Sequence, residues 1–238
     1  MDPDNAVTIA AVAFGAMTHA VTGLGFSIVC VPAFTVVYGG RDGVRLANLL
    51  ALGVNGVVLG REGRHADFRR AFSLLVPAAI AAPLTAIAIR HTDVDLLSII
   101  AGVVVLATVG ALAVGARAPG FSGPLGAVVA GSASGAMNVV AGIGGPTVAG
   151  YANNAQWPHD RLRPTLATYF LGLNAISVAV RGAPDISSAL LGGCAVALVV
   201  GYAAGVVLRG RIDGRHLQLG TLLLAGCGAI AAIVKGFT

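Results

Sequence analysis

Most of this sequence lies in apolar stretches long enough to cross a lipid bilayer, and that leaves few folds open to it. The stretches run over residues 7–38, 44–60, 71–89, 96–116, 123–151, 164–180, 186–208 and 217–234. A hydrocarbon layer ~30 Å thick needs about 20 helical residues to cross it. Nothing in that layer hydrogen-bonds an exposed N–H or C=O, so each stretch must satisfy its own backbone, as a helix does. A membrane β-barrel is excluded, because its spans are about 10 residues long and alternate in polarity. Composition agrees: 56% of residues are hydrophobic and 11% charged, with a mean hydropathy of +0.86, whereas a soluble domain is about a quarter charged. The fold class expected is an all-α polytopic membrane protein. The first stretch is too long for a secretory signal and carries Asp2 and Asp4 where basic residues would stand, so it is expected to remain in the mature protein.

The chain also says nearly the same thing twice. Thr22-Gly23-Leu24-Gly25-Phe26-Ser27 returns as Ala141-Gly142-Ile143-Gly144-Gly145-Pro146 about half the chain later. Gly-Ala-Met precedes both copies, at Gly15 and Gly135, and Leu-Gly-x-Asn follows both, ending at Asn55 and Asn174. A duplicated membrane unit with a glycine-interrupted helix in matching places is the best sequence pointer to a transporter's binding site. The halves divide as 1–119 and 120–238, two repeats of four segments within one transport domain.

Arginine placement carries the topology. If every stretch simply crossed, the loop arginines would divide almost evenly between the two sides, against the positive-inside rule. If the glycine-broken first and fifth stretches are re-entrant, Arg61, Arg64, Arg69, Arg70, Arg117, Arg161, Arg163, Arg209, Arg211 and Arg215 face the cytoplasm. Arg41, Arg45, Arg90, Arg181 and Lys235 then face the other side. Three crossings per half is an odd number, so the second repeat is expected upside down relative to the first.

Glycine tolerates the dihedrals of a break, and Pro146 suits the first turn of a new helix. Each break therefore ends in a fresh helix N-terminus with free N–H groups and about half a positive charge. Two such ends meeting near the midplane would form an anion site without any buried Lys or Arg. The substrate-binding residues expected are Thr22, Gly23, Gly25, Phe26, Ser27, Asn138, Gly142, Gly144, Gly145 and Thr147. His19, Asn48, Asn55 and Asn174 are supporting or coupling candidates. For the duplicated Asn55 and Asn174, bonding to the broken loops competes with direct ligand contact. His19 is the only imidazole at depth, and a structural role competes with proton coupling. Arg41 and Arg45, with Arg90 and Arg181, border the less basic face as an anion-attracting vestibule or as interface anchors. Cys30, Cys194 and Cys227 have no metal-like or disulfide-like spacing and read as small buried hydrophobes.

With glycine-rich breaks in the first and fifth segments, each near a proline (Pro32, Pro146), and two similar halves, the chain resembles the TauE/SafE family of membrane anion exporters. The resemblance covers essentially the whole chain. It places the family signature on Gly23, Gly25 and Pro32, and on Gly142, Gly144, Gly145 and Pro146. It implies a secondary transporter of sulfite, or of a short organosulfonate such as sulfoacetate, working by alternating access in the bacterial inner membrane. Phe26 stands where a third glycine is common, which narrows that side of the site. The partners implied are a small anionic substrate and the bilayer, with a homodimer as a further candidate; neither nucleic acid nor a cofactor is expected. The scattered arginines, without interleaved aromatics, do not read as a nucleic-acid surface.

Two other classes compete. An anion channel or a structural membrane subunit would share the composition. An intramembrane serine protease would use Ser132-Ala133-Ser134-Gly135, but needs a histidine at depth on a later helix, and His159 and His216 are expected in loops.

Overall fold

The computed structural model describes residues 3–113 and 123–209, together with 223, 226–231, 233, 234 and 237. Among these, every regular element is helical: α1 (Pro3–Thr22), α2 (Gly25–Glu62), a 3-10 turn (Gly63–His65), α3 (Phe68–Ile89), α4 (Val94–Ala113), α5 (Gly123–Ala141), α6 (Gly145–Asn154), α7 (His159–Arg181) and α8 (Ser188–Leu208). Among the described residues, five stretches are long and apolar enough to cross a membrane: α1, Gly25–His65, α3, α5 and α8. Half of the eighth apolar stretch lies outside the described residues, as do Lys235, the boundary at 119/120, Arg117, Arg211, Arg215 and His216.

α3 and α8 display what a membrane helix needs. Phe68, Phe72, Val76, Ile80, Leu84 and Ile87 form an exposed stripe along α3, and Val196, Val199, Val200 and Val207 do the same on α8. A contiguous apolar face of this size is a liability in water and is satisfied by lipid.

Both glycine breaks turn the chain back on itself. Gly23 (φ 83) and Gly142 (φ 64) hold left-handed backbone that an L side chain rarely adopts. After Gly23, the first limb of α2 (residues 25–38) runs antiparallel to α1. The Cys30 thiol donates to the Ala11 carbonyl at 3.4 Å, and the hydroxyls of Thr8 and Tyr38 lie 2.9 Å apart. After Gly142, α6 returns along α5, and the Tyr151 hydroxyl donates to the Gly123 carbonyl at 3.2 Å.

One element differs from expectation. The sequence suggests separate stretches at 7–38 and 44–60 with Gly-Gly-Arg-Asp-Gly as a loop, yet α2 runs from Gly25 to Glu62 and leaves helical geometry only at Gly39 (φ 80, ψ 166). A single residue of left-handed φ redirects the axis, so no connecting loop is required. The second limb, 40–62, is about 34 Å long at 1.5 Å per residue and separates two polar ends. At one end, Arg41 donates to the Thr92 carbonyl (3.1 Å) and Arg181 to the Arg41 carbonyl (3.3 Å). At the other, Glu62 lies 3.6 Å from Arg163 and 3.7 Å from Arg209, and Arg70 stacks 5.5 Å over Trp157. The first hairpin opens at the former end and the second at the latter.

The halves interlock. α8 packs on α1, where Gly201 and Gly205 meet the backbones of Ala13 and Met17; α5 packs on α3, where Gly131 and Gly135 meet Leu74 and Ala78. Each hairpin is thus held by a helix of the opposite half, with α2 and α7 packed together between them. Small residues let backbones approach where no hydrophobic effect drives helix association.

Candidate functional site

The two hairpin tips enclose a cavity of about 310 Å³. Its lining repeats at a constant spacing of 119 positions: His19 with Asn138, Leu24 with Ile143, Gly25 with Gly144, Phe26 with Gly145, Ser27 with Pro146, Ala51 with Phe170 and Asn55 with Asn174. Val21, Thr22 and Ile28 complete it without a counterpart. The cavity therefore lies where the two repeats face each other.

Its chemistry comes from backbone. α2 and α6 both begin at the wall, after Leu24 and Gly144, and neither start receives a side-chain cap. The first N–H groups of a helix have no intrahelical partner, so an uncapped start facing a cavity offers them to a ligand. Among the described residues, no Lys, Arg, Asp or Glu lines the cavity. Around the N–H groups stand the polar side chains of His19, Thr22, Ser27, Asn55, Asn138 and Asn174. The Asn138 amide donates to Asn174 Oδ1 (3.1 Å) and to the Ser177 hydroxyl (2.9 Å). Asn55 donates to the Ala51 carbonyl at 2.8 Å, while its own Oδ1 is buried and unpartnered, as is His19 Nδ1.

Of the substrate-binding residues expected, Thr22, Gly25, Phe26, Ser27, Asn138, Gly144 and Gly145 line the cavity. Gly23 and Gly142 supply the breaks themselves and stand behind the wall; a Cβ on Gly142 would come 2.8 Å from Val31. Thr147 also stands back, its hydroxyl bonded to the Gly144 carbonyl at 3.1 Å. Among the supporting residues, His19, Asn55 and Asn174 reach the cavity. Asn48 does not: its amide donates to the Asn138 carbonyl at 3.4 Å and braces the α5 tip. Arg41 and Arg45 line a different, smaller pocket with Arg90 and Arg181.

Sequence reasoning missed the apolar lining: Val21, Leu24, Ile28, Ala51, Ile143 and Phe170. The constant spacing would have found two of these pairs, Leu24/Ile143 between the glycines and Ala51/Phe170 one turn before the duplicated asparagines. Ser134, the protease-like serine, is buried and donates to the Gly144 carbonyl at 2.8 Å, which commits it to holding the second break.

No curated protein and no solved structure matches the chain. A family model does: that described as sulfite exporter TauE/SafE matches residues 7–232. It spans both hairpins and every residue of the central cavity, and the chain belongs to the TauE/SafE sulfite exporter family.

Proposed function

We propose that this protein is a secondary transporter that exports a small sulfur oxyanion, sulfite or a short organosulfonate such as sulfoacetate, across the bacterial inner membrane. The observation that carries the reading is the pair of uncapped helix N-termini, at Gly25 and Gly145, on one cavity whose lining among the described residues holds no charged side chain. Partial charges of about half a unit at each end attract an anion, and because no charged side chain among the described residues lines the cavity, the anion leaves again at little cost. Phe26, Ile143 and Phe170 give the cavity an apolar side that suits the carbon portion of a sulfonate.

The mechanism is alternating access between two inverted halves. In its support, the hairpins open at opposite polar ends of the molecule, and the lining repeats at one spacing. We read both hairpins as re-entrant, with the Glu62/Arg163/Arg209 end cytoplasmic in keeping with the positive-inside rule. An inside-negative potential already drives anion export by about 2.3 kcal/mol per charge at 100 mV, so a coupling ion is not required.

Flux of radiolabelled sulfite and sulfoacetate from proteoliposomes tests this. Saturable flux that rises with an imposed potential is the expected result. Unsaturable conduction would make the protein a channel, and no flux of either anion above protein-free vesicles would sink the assignment.

A further inference from the structure

A second pocket, of about 130 Å³, lies at the end of the molecule opposite Glu62, where α2, α3, α4 and α7 meet. Four arginines line it: Arg41, Arg45, Arg90 and Arg181. We propose that it is a second binding site, specific for a small sulfur- or phosphorus-centred oxyanion group, distinct from the central cavity.

The arrangement is one that four guanidinium groups do not adopt without reason. Arg41 and Arg45 are one turn apart on α2, a like-charge spacing that destabilises a helix. Among the described residues, the only acidic side chain paired with any of the four is Asp42, 2.9 Å from Arg45, and Asp42 is 45% exposed, so its compensation is screened by solvent. The Nε of Arg45 is buried without a hydrogen-bond partner. Arg90 Nε lies 2.7 Å from the imidazole of His91, which removes no charge. The other acidic residues of the adjoining segments, Asp93, Asp95 and Asp185, form no ion pair with these arginines.

At the opposite end one acid, Glu62, lies 3.6 Å from Arg163 and 3.7 Å from Arg209, although Arg163 Nε and Nη1 are themselves buried without a hydrogen-bond partner. At the repeat spacing of 119, Glu62 corresponds to Arg181, so one pseudo-equivalent position holds an acid at one end and a base at the other. The duplication has been broken in charge at this pocket. An oxyanion resolves the imbalance, because guanidinium forks present paired N–H donors to tetrahedral and pyramidal oxyanions. The volume is several times the ~10–15 Å³ that one water needs. Arg181 also donates to the carbonyl of Val139, next to the cavity-lining Asn138, so one side chain joins the two sites.

The proposal rests on the transport reading only for its choice of probe, sulfite. Binding is measured on delipidated full-length protein carrying Gly145→Val, which narrows the central cavity at the second helix start. Sulfite is expected to bind this protein, and Arg45→Gln to weaken that binding by about tenfold or more, with Arg45→Lys intermediate because it keeps charge without the fork. Arg41→Gln serves as the second variant if Arg45→Gln is not monodisperse. Binding unchanged by either substitution, or lost with Gly145→Val alone, overturns the proposal.

Nanodiscs separate the sources of the group. Sulfite displaced by phosphatidylglycerol but not by phosphatidylcholine identifies a lipid headgroup as occupant; sulfite retained in both identifies a free anion, and either result upholds the oxyanion chemistry. Arginine-dependent binding in a protein without flux removes the transport reading and keeps this site. Flux without arginine-dependent binding removes this site alone.

Discussion

Gly145 and Gly144 are neighbours with opposite roles. A Cβ on Gly145 would meet Leu24 at 3.5 Å and Phe170 at 3.9 Å, ordinary contacts at the cavity wall, whereas one on Gly144 would strike the Ser134 hydroxyl and its backbone carbonyl. Gly25 resembles Gly144, with Thr18 Oγ1 at 2.7 Å and its Cβ at 2.9 Å. Gly145→Val should therefore leave a folded protein whose sulfite flux falls at least about tenfold, ~1.4 kcal/mol of lost substrate binding. Gly25→Ala and Gly144→Ala should instead lower stability by about 1–3 kcal/mol through overpacking, read as a lower unfolding midpoint in detergent. Equal flux in Gly145→Val and wild-type vesicles would remove the cavity from the pathway. Glycine motifs announce where the chain breaks but not which glycine faces ligand; that depends on Cβ direction, which composition does not record. The same limit explains Thr147, a first-turn hydroxyl whose bond to the Gly144 carbonyl turns it away from the cavity.

Among the elements, the hairpins were legible because Gly23 and Gly142 interrupt otherwise continuous apolar stretches. The continuity of α2 was not, because Gly39 to Gly43 carries the residue types of a surface loop. Three glycines, an arginine and an aspartate there serve other ends: Gly40 and Gly43 sit against the backbones of Ser98 and Phe34, with added Cβ atoms 2.6 and 2.7 Å away. The helix contacts between halves give a sharp contrast. Gly201→Leu on α8 and Gly135→Leu on α5 would drive a side chain into the backbone of α1 and α3, and the yield of monodisperse protein should collapse. Gly192→Ala on the same α8 has nothing within 4 Å of its new methyl. It should be neutral or stabilise by up to about 1 kcal/mol through helix propensity. Comparable melting curves for all three variants would show that α8–α1 and α5–α3 packing does not hold the fold.

At the scale of the molecule, the charge count and the duplication raised the expectation of two inverted halves meeting at one anion site. They did not foretell that α1 docks on α8 and α5 on α3, because such partnering is written in matching small-residue faces of helices distant in sequence. The two ends can be assigned by labelling single cysteines in a Cys227→Ala background, the buried Cys30 and Cys194 being left in place. Arg69→Cys and Arg161→Cys should react only with a reagent reaching the cytoplasmic face, and Asp93→Cys only from outside; all three positions are exposed. Labelling of Arg69→Cys and Arg161→Cys from opposite sides would refute the re-entrant fifth stretch. The central claim is that backbone N–H groups at two helix starts hold the anion. Its most direct test is the anomalous signal of selenium in crystals of this protein grown with selenite, a heavy analogue of sulfite. The account predicts a peak one Se–O bond beyond hydrogen-bonding distance of the N–H groups at Gly25–Ser27 and at Gly145, as oxygens bound to both helix starts require. A protein that transports sulfite yet places selenium only among Arg41, Arg45, Arg90 and Arg181, or away from both helix starts, would contradict it.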